Sequence, residues 1–139
     1  MFEHTGGFTI LVADDDPDDR LVADELLGEI SFIQNVQTLE DGQALLDYLR
    51  KHGRFSNQTD WQRPDLILLD LYMPGKGGLE TLAELKADPD LARIPVVVLT
   101  GSKSNRDIER AFALGARSYM LKPLTRQRVA VEFQAPARS

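Results

Sequence analysis

The chain has no cysteine. That excludes disulfide frameworks, thiolate-ligated zinc, thiol nucleophiles and thiol redox switching. Histidine is nearly absent: His4 and His52 are too few and too far apart for a histidine-rich metal site or a histidine-based triad. No apolar run approaches the roughly 20 residues of a membrane helix. The longest are Leu66–Leu69 and Pro95–Leu99. The amino-terminal stretch MFEHTGGFT has neither the basic region nor the apolar core of a signal peptide. No membrane contact and a cytoplasmic location are the expectation. Internal repeats and low-complexity stretches are also missing.

What is present suits one ordinary globular domain. The 139 residues are 42% hydrophobic and 27% charged. A chain of this length buries about two-thirds of its unfolded surface and needs no metal merely to fold. The net charge of −6 is unevenly placed: residues 1–92 hold 7 basic and 19 acidic side chains, residues 93–139 hold 9 and 3. Five aspartates crowd into Asp14–Asp19. This argues against a nucleic-acid binder, because neutralising phosphates needs a net basic face. It points to a cation site near the aspartates. The basic half reads equally well as a solvated surface or a docking face.

Short β-rich runs alternate with helical periodicity. Thr9–Ala13 is a strand. Asp16-Pro17 then supplies a helix cap and a first-turn proline. Val22, Leu26 and Ile30, flanked by Ala23 and Leu27, predict an amphipathic helix over Pro17–Glu29. Asn35–Leu39 is a short strand, and Ala44, Leu45, Tyr48 and Leu49 mark a second helix ending near Gly53. Residues 53–63 (GRFSNQTDWQR) are polar, aperiodic and longer than a usual connection. Leu66–Leu71 reads as a strand buried on both faces. The loop MPGKGG leads to a helix marked by Leu79, Leu82 and Leu85 and broken at Asp88-Pro89. Pro95–Thr100 is a further buried strand. Ser104 with Asp107 resembles a capping box for a fourth helix carrying Ile108, Ala111, Phe112 and Leu114. Ser118–Leu121 is the fifth strand. Thr125 can cap a short last helix with Val129, Ala130 and Phe133, stopped by Pro136. Strand–helix alternation repeated five times predicts an α/β fold: a parallel sheet with helices on both faces. In such sheets ligands bind beyond the carboxyl ends of the strands.

Those ends carry Asp14-Asp15, Asp70, Thr100 and Lys122-Pro123. Taken singly, each has a bland reading: helix caps for the aspartates, a turn residue for Thr100, a strand terminator for Lys122-Pro123. Together they place three carboxylates, a hydroxyl and an ammonium at one edge. Two unit charges ~4 Å apart repel by about 4 kcal/mol at an effective dielectric of 20. Three carboxylates therefore need a compensating cation, and all-oxygen ligands favour hard Mg²⁺ or Mn²⁺. That combination implies phosphoryl chemistry, with a carboxylate as nucleophile, the lysine neutralising phosphoryl oxygens and the threonine donating to one. Asp16, Asp18 and Asp19 read as a solvated helix start favoured by the helix dipole. Tyr119 reads as core or edge packing.

The segments ILVADDD, LILLDLYMP, VVVLTGS and SYMLKPL stand in the order and spacing of a response regulator receiver domain of two-component signalling, which the chain resembles over roughly residues 8–133. The resemblance implies a flavodoxin-like, doubly wound five-stranded sheet of order 2-1-3-4-5. It divides the chain into an N-terminal tail (1–8), the receiver (9–133) and a C-terminal tail (134–139). It implies that Asp70 accepts a phosphoryl group from a histidine kinase's phosphohistidine. Asp15 would ligate Mg²⁺ directly, Asp14 through water and Tyr72 through its backbone carbonyl, with Asp70 completing the set. Thr100 and Lys122 would contact the phosphoryl group, and Tyr119 would be the switch aromatic that follows Thr100. A cis Lys122-Pro123 bond is common in that family. Such a domain is a phosphorelay switch, not an enzyme acting on an external substrate.

Three departures from the family pattern stand out. Gly77 occupies a position where aspartate is common, which predicts a more mobile loop after Asp70. The insertion before the third strand resembles that of regulators paired with bacterial phytochromes. The segment VAVEFQAPA could be an extended arm instead of a helix, exposing Val129, Val131 and Phe133; from it follows the expectation of a homodimer through the C-terminal region. Tyr72 is expected to screen an acyl phosphate from water, and Gly101 to leave it open to the kinase. Two rivals are a metal-dependent phosphohydrolase and a receiver-like module that no longer takes phosphate. The first needs a second carboxylate where Tyr72 stands; the second is disfavoured by the full acidic and lysine set. GKGG lacks the spacing and hydroxyl of a P-loop.

Overall fold

The structure is a computed structural model and describes residues 7–59 and 61–132. The elements are β1 (Phe8–Ala13), α1 (Pro17–Gly28), β2 (Ile33–Leu39), α2 (Gly42–Arg50), a 3-10 turn (Gly53–Phe55), β3 (Leu66–Leu69), α3 (Gly78–Ala87), β4 (Val96–Thr100), α4 (Asn105–Ala113), β5 (Ser118–Leu121) and α5 (Arg126–Glu132). All strand pairs are parallel, in the order β2-β1-β3-β4-β5. The parallel sheet expected from the alternation, and the flavodoxin-like strand order implied by the family resemblance, are therefore the ones observed.

The apolar strands are buried on both sides because their side chains alternate between two cores. Leu11, Ala13, Ile67, Leu69, Val96 and Val98 face one way and pack with Leu45, Leu49, Leu82, Leu85 and Ala111 of α2, α3 and α4. Ile10, Val12, Leu66, Leu68, Val97 and Leu99 face the other way and pack with Ala23 and Leu27 of α1 and Val129 of α5. Arg126 clamps that second layer from outside, its Nε and Nη2 donating to the two oxygens of Glu29 at 2.8 and 2.7 Å.

Local chemistry sets most boundaries. Asp16 caps α1, its side chain accepting from the Asp18 amide at 2.9 Å. Asp41 caps α2 through the Ala44 amide at 2.8 Å. Thr125 accepts from the Arg128 amide at 3.2 Å at the start of α5. Residues 126–132 are thus helical, not an extended arm, and Val129 is core; Val131 is 64% exposed, and Phe133 and Pro136 lie outside the described residues. The buried face of α1 also differs from the expected one: Ala23 and Leu27 are buried while Val22 is exposed. Leu26 and Ile30 only flank that core, because the helix sits on the sheet along its Ala23–Leu27 line.

The polar insertion is anchored at several points. Trp61 Nε1 donates to the Tyr48 carbonyl at 2.7 Å, and its ring lies 6.1 Å from that of Tyr48. Phe55 meets Tyr48 edge-on. Gln62 Oε1 accepts from Thr9 Oγ1 and Asn35 Nδ2, both at 3.1 Å. The MPGKGG loop is likewise tethered without the aspartate common at position 77. Gly78 N donates to the Leu71 carbonyl at 2.8 Å, Thr81 Oγ1 to the Gly77 carbonyl at 2.8 Å, and Lys76 pairs with Glu84.

Candidate functional site: a carboxylate cluster at the strand ends

Three residues singled out from the sequence are fixed by the sheet ladder itself. Asp14 N donates to the Leu39 carbonyl at 3.0 Å, Asp70 N to the Ala13 carbonyl at 3.0 Å, and Lys122 N to the Thr100 carbonyl at 2.9 Å. Each extends its strand by one residue onto the neighbouring strand. Their side chains converge at the carboxyl edge, where Thr100 ends β4, fully buried.

Carboxylate oxygens of Asp14, Asp15 and Asp70 lie within 4.8 Å of one another. Asp14 and Asp70 are buried and Asp15 is exposed. Lys122 Nζ sits among the acids, 2.7 Å from Asp14 Oδ2 and 3.0 Å from Asp70 Oδ2. The bond from Lys122 to Pro123 is cis. Asp14 Oδ1 accepts from the Asp16 amide at 3.0 Å, and Arg20 Nη1 donates to the Asp14 carbonyl at 2.7 Å. The Tyr72 amide approaches Asp70 Oδ1 at 3.4 Å.

The electrostatics leave the cluster short of positive charge. Burial pushes the Asp14 carboxyl above its ordinary value; the bonds from Lys122 and the Asp16 amide only partly offset this, and nearby Asp70 adds to it. Burial alone would lower the Lys122 ammonium, but hydrogen bonds to Asp14, Asp19 and Asp70 outweigh it and raise its pKa. One ammonium faces several carboxylates. An all-carboxylate donor set with one exposed member, Asp15, suits a hard divalent cation.

Three further residues belong to this edge and were not assigned there from the sequence. Asp19 is not merely a solvated helix start: its Oδ2 accepts from Lys122 Nζ at 2.8 Å. Asp107 does not complete a capping box. Its amide donates to Ser104 Oγ at 3.3 Å, but its carboxylate turns away to accept from Ser102 Oγ at 2.7 Å and from the Tyr72 hydroxyl. The Tyr72 bond is the larger reason that the Asp107 carboxyl lies below its usual value, and it holds the phenol above its own. Ser102 links this group to Tyr119, whose hydroxyl donates to the Ser102 carbonyl at 2.9 Å. The available signal was positional: Asp19 and Asp107 are each third in a helix that begins just past a strand end. Side chains there tilt back toward the helix start, and hence toward the edge.

The fold and site are thus a doubly wound parallel sheet with two buried carboxylates and a lysine at its carboxyl edge. The response regulator receiver domain family matches residues 10–134. The chain belongs to that family. It is 42% identical over 113 residues to the response regulator Rcp1 of a Synechocystis species, covering 81% of this chain and 74% of that one. The Mn²⁺-bound form of Rcp1 superposes with a TM-score of 0.82 at 33% identity, covering 95% of this chain and 99% of the other. The phosphorylated cyanobacterial phytochrome response regulator RcpA superposes with a TM-score of 0.78 at 38% identity, covering 88% and 86%.

Proposed function

We propose that the chain is a phosphoacceptor receiver: Asp70 takes a phosphoryl group from a histidine kinase, with Mg²⁺ held at the carboxylate cluster. The observation that carries this reading is the single ammonium of Lys122 bridging Asp14 and Asp70, with Asp15 alongside. An Asp70 oxygen attacks phosphorus as the bond to the kinase imidazole breaks, and the imidazole leaves with the electron pair. Asp15, Asp70 and the Tyr72 backbone carbonyl would hold the cation directly and Asp14 through water, and it would supply charge neutralisation at the phosphoryl oxygens. Lys122 exchanges a carboxylate for a phosphoryl oxygen. The Thr100 hydroxyl donates to another, and its movement alters the space open to Tyr119. The output is a changed contact surface, not turnover of an external substrate.

Labelled acetyl phosphate tests the reading. Wild type should retain label in the presence of Mg²⁺ and Asp70→Asn should not; equal labelling of both would overturn it. Two finer points belong to the same proposal. The kinase is of the bacterial phytochrome kind, supported by the likeness to RcpA, and red-light-dependent phosphotransfer from such a kinase would check it. The chain works in the cytoplasm as a homodimer through its C-terminal region, where Val131 is exposed. A monomeric mass at every concentration in sedimentation would defeat the dimer.

A further inference from the structure

Tyr72 begins on the loop after β3 and ends on the segment after β4. Its hydroxyl donates to Asp107 Oδ2, the same oxygen that accepts from Ser102 Oγ. β3 and β4 are adjacent in the sheet, so the phenol reaches from a residue whose amide faces Asp70 Oδ1 to the first turn of the helix that follows β4. The residue is 62% exposed. Packing therefore does little to fix the ring, and the hydroxyl bond is what holds it in that position. Asp107 is well suited as the anchor. It is buried, sits in the first turn of α4, and its amide is fixed by Ser104. Two donors converge on one of its oxygens, and bonds to a charged acceptor are the stronger kind.

We propose that Asp107 is a positioning residue for Tyr72: it holds the phenol as a strap over the Asp70 site and thereby sets how fast water reaches a phosphoryl group carried there. The inference rests on phosphorylation of Asp70. In the step it slows, a water oxygen attacks phosphorus, the acyl oxygen–phosphorus bond breaks, and Asp70 leaves as a carboxylate with the electron pair. Inorganic phosphate carries away one water proton and solvent takes the other. Asp107 touches none of these atoms. Because the anchor lies on α4, a displacement of that first turn loosens the strap, so the helix and the lifetime of the modification are linked.

The test is a double-substitution cycle on the lifetime of the labelled protein, using Tyr72→Phe, Asp107→Ala and the pair. Each single change should shorten the lifetime roughly fivefold, the worth of one lost hydrogen bond. The pair should be no faster than either, because both remove the same bond. Asp107→Asn, which still offers an oxygen acceptor, should fall between wild type and Asp107→Ala. Additive effects, or an unchanged lifetime in Asp107→Ala, overturn the strap. A second measurement needs no phosphate. With tyrosine isotope-labelled at Cζ, the chain gives signals from Tyr48, Tyr72 and Tyr119. Asp107→Ala should move the Tyr72 signal and leave that of Tyr48 in place. An unmoved Tyr72 signal refutes the strap even if no label is ever taken, whereas absence of label with a moved signal refutes only the phosphorylation reading.

Discussion

Asp19 Oδ2 stands 2.8 Å from Nζ of Lys122, a residue 103 positions further along the chain. The pair joins the first turn of α1 to the end of β5 and gives the lysine a third carboxylate partner beside Asp14 and Asp70. The three contacts are unequal. Asp19 is half exposed, so its share is screened by solvent, whereas Asp14 and Asp70 are buried. Removing Asp19 by Asp19→Asn should cost no more than about 1 kcal/mol of stability. Lys122→Ala leaves two buried carboxylates facing each other and should cost about 3 kcal/mol. Urea denaturation in a chelating buffer measures both; equal costs would show that burial does not rank these contacts.

Asp15 offers a clean probe of cation binding. It is exposed and, among the described residues, has no hydrogen bond or ion pair, yet its carboxylate shares the cluster with Asp14 and Asp70. Asp15→Asn should change the stability of the metal-free protein by under about 0.5 kcal/mol. Wild type should gain about 2.7 kcal/mol when the divalent cation reaches 100 times its dissociation constant. The variant should lose most of that gain at the same cation concentration. A full cation response in the variant would remove Asp15 from the ligand set.

Gly78 is required by close approach, not by an unusual turn. A Cβ built there would meet the Asp70 carbonyl oxygen at 2.2 Å and the Leu71 Cα at 2.5 Å, both backbone atoms that cannot swing aside. Gly78→Ala should cost about 2 kcal/mol. It should also slow labelling of Asp70, since relief of the clash displaces the segment carrying that residue. Unchanged unfolding and labelling together would show that the loop yields freely.

The Glu40–Arg54 fork gives a pH signature away from the site. Arg54 donates to both Glu40 oxygens at 2.8 and 2.7 Å, which lowers the Glu40 carboxyl from 4.5 to about 2. A depressed acid stabilises the fold above its unfolded pKa, and that contribution disappears as pH falls through the folded value. Glu40→Gln should therefore be less stable than wild type at pH 7, by under about 1 kcal/mol because the pair is exposed. The gap should narrow steadily below about pH 4.5. A constant difference from pH 7 to pH 3 would mean the ion pair contributes nothing.

What the sequence disclosed depended on how local the cause was. β5 spans Ser118–Leu121 as its apolar run predicts, and Ser104 caps α4 as expected. Both follow from residues within a turn of each other. β2 starts at Ile33, two residues before its β-rich run, because pairing with Phe8 extends it across a register shift. The carboxyl edge was legible because each of its residues follows an apolar strand. The partners of Asp19 and Asp107 were not. A carboxylate in a first helical turn looks the same whether it faces water or a lysine far along the chain; only the assembled sheet chooses.

The ladder bonds that carry Asp14, Asp70 and Lys122 have a dynamic consequence. Their amides are pinned by the carbonyls of neighbouring strands, so hydrogen exchange at these positions requires the sheet itself to part. These three amides should therefore be protected along with the central strands. The first turn of α4 lies outside that ladder, so it can shift without parting the strands that carry Asp14, Asp70 and Lys122.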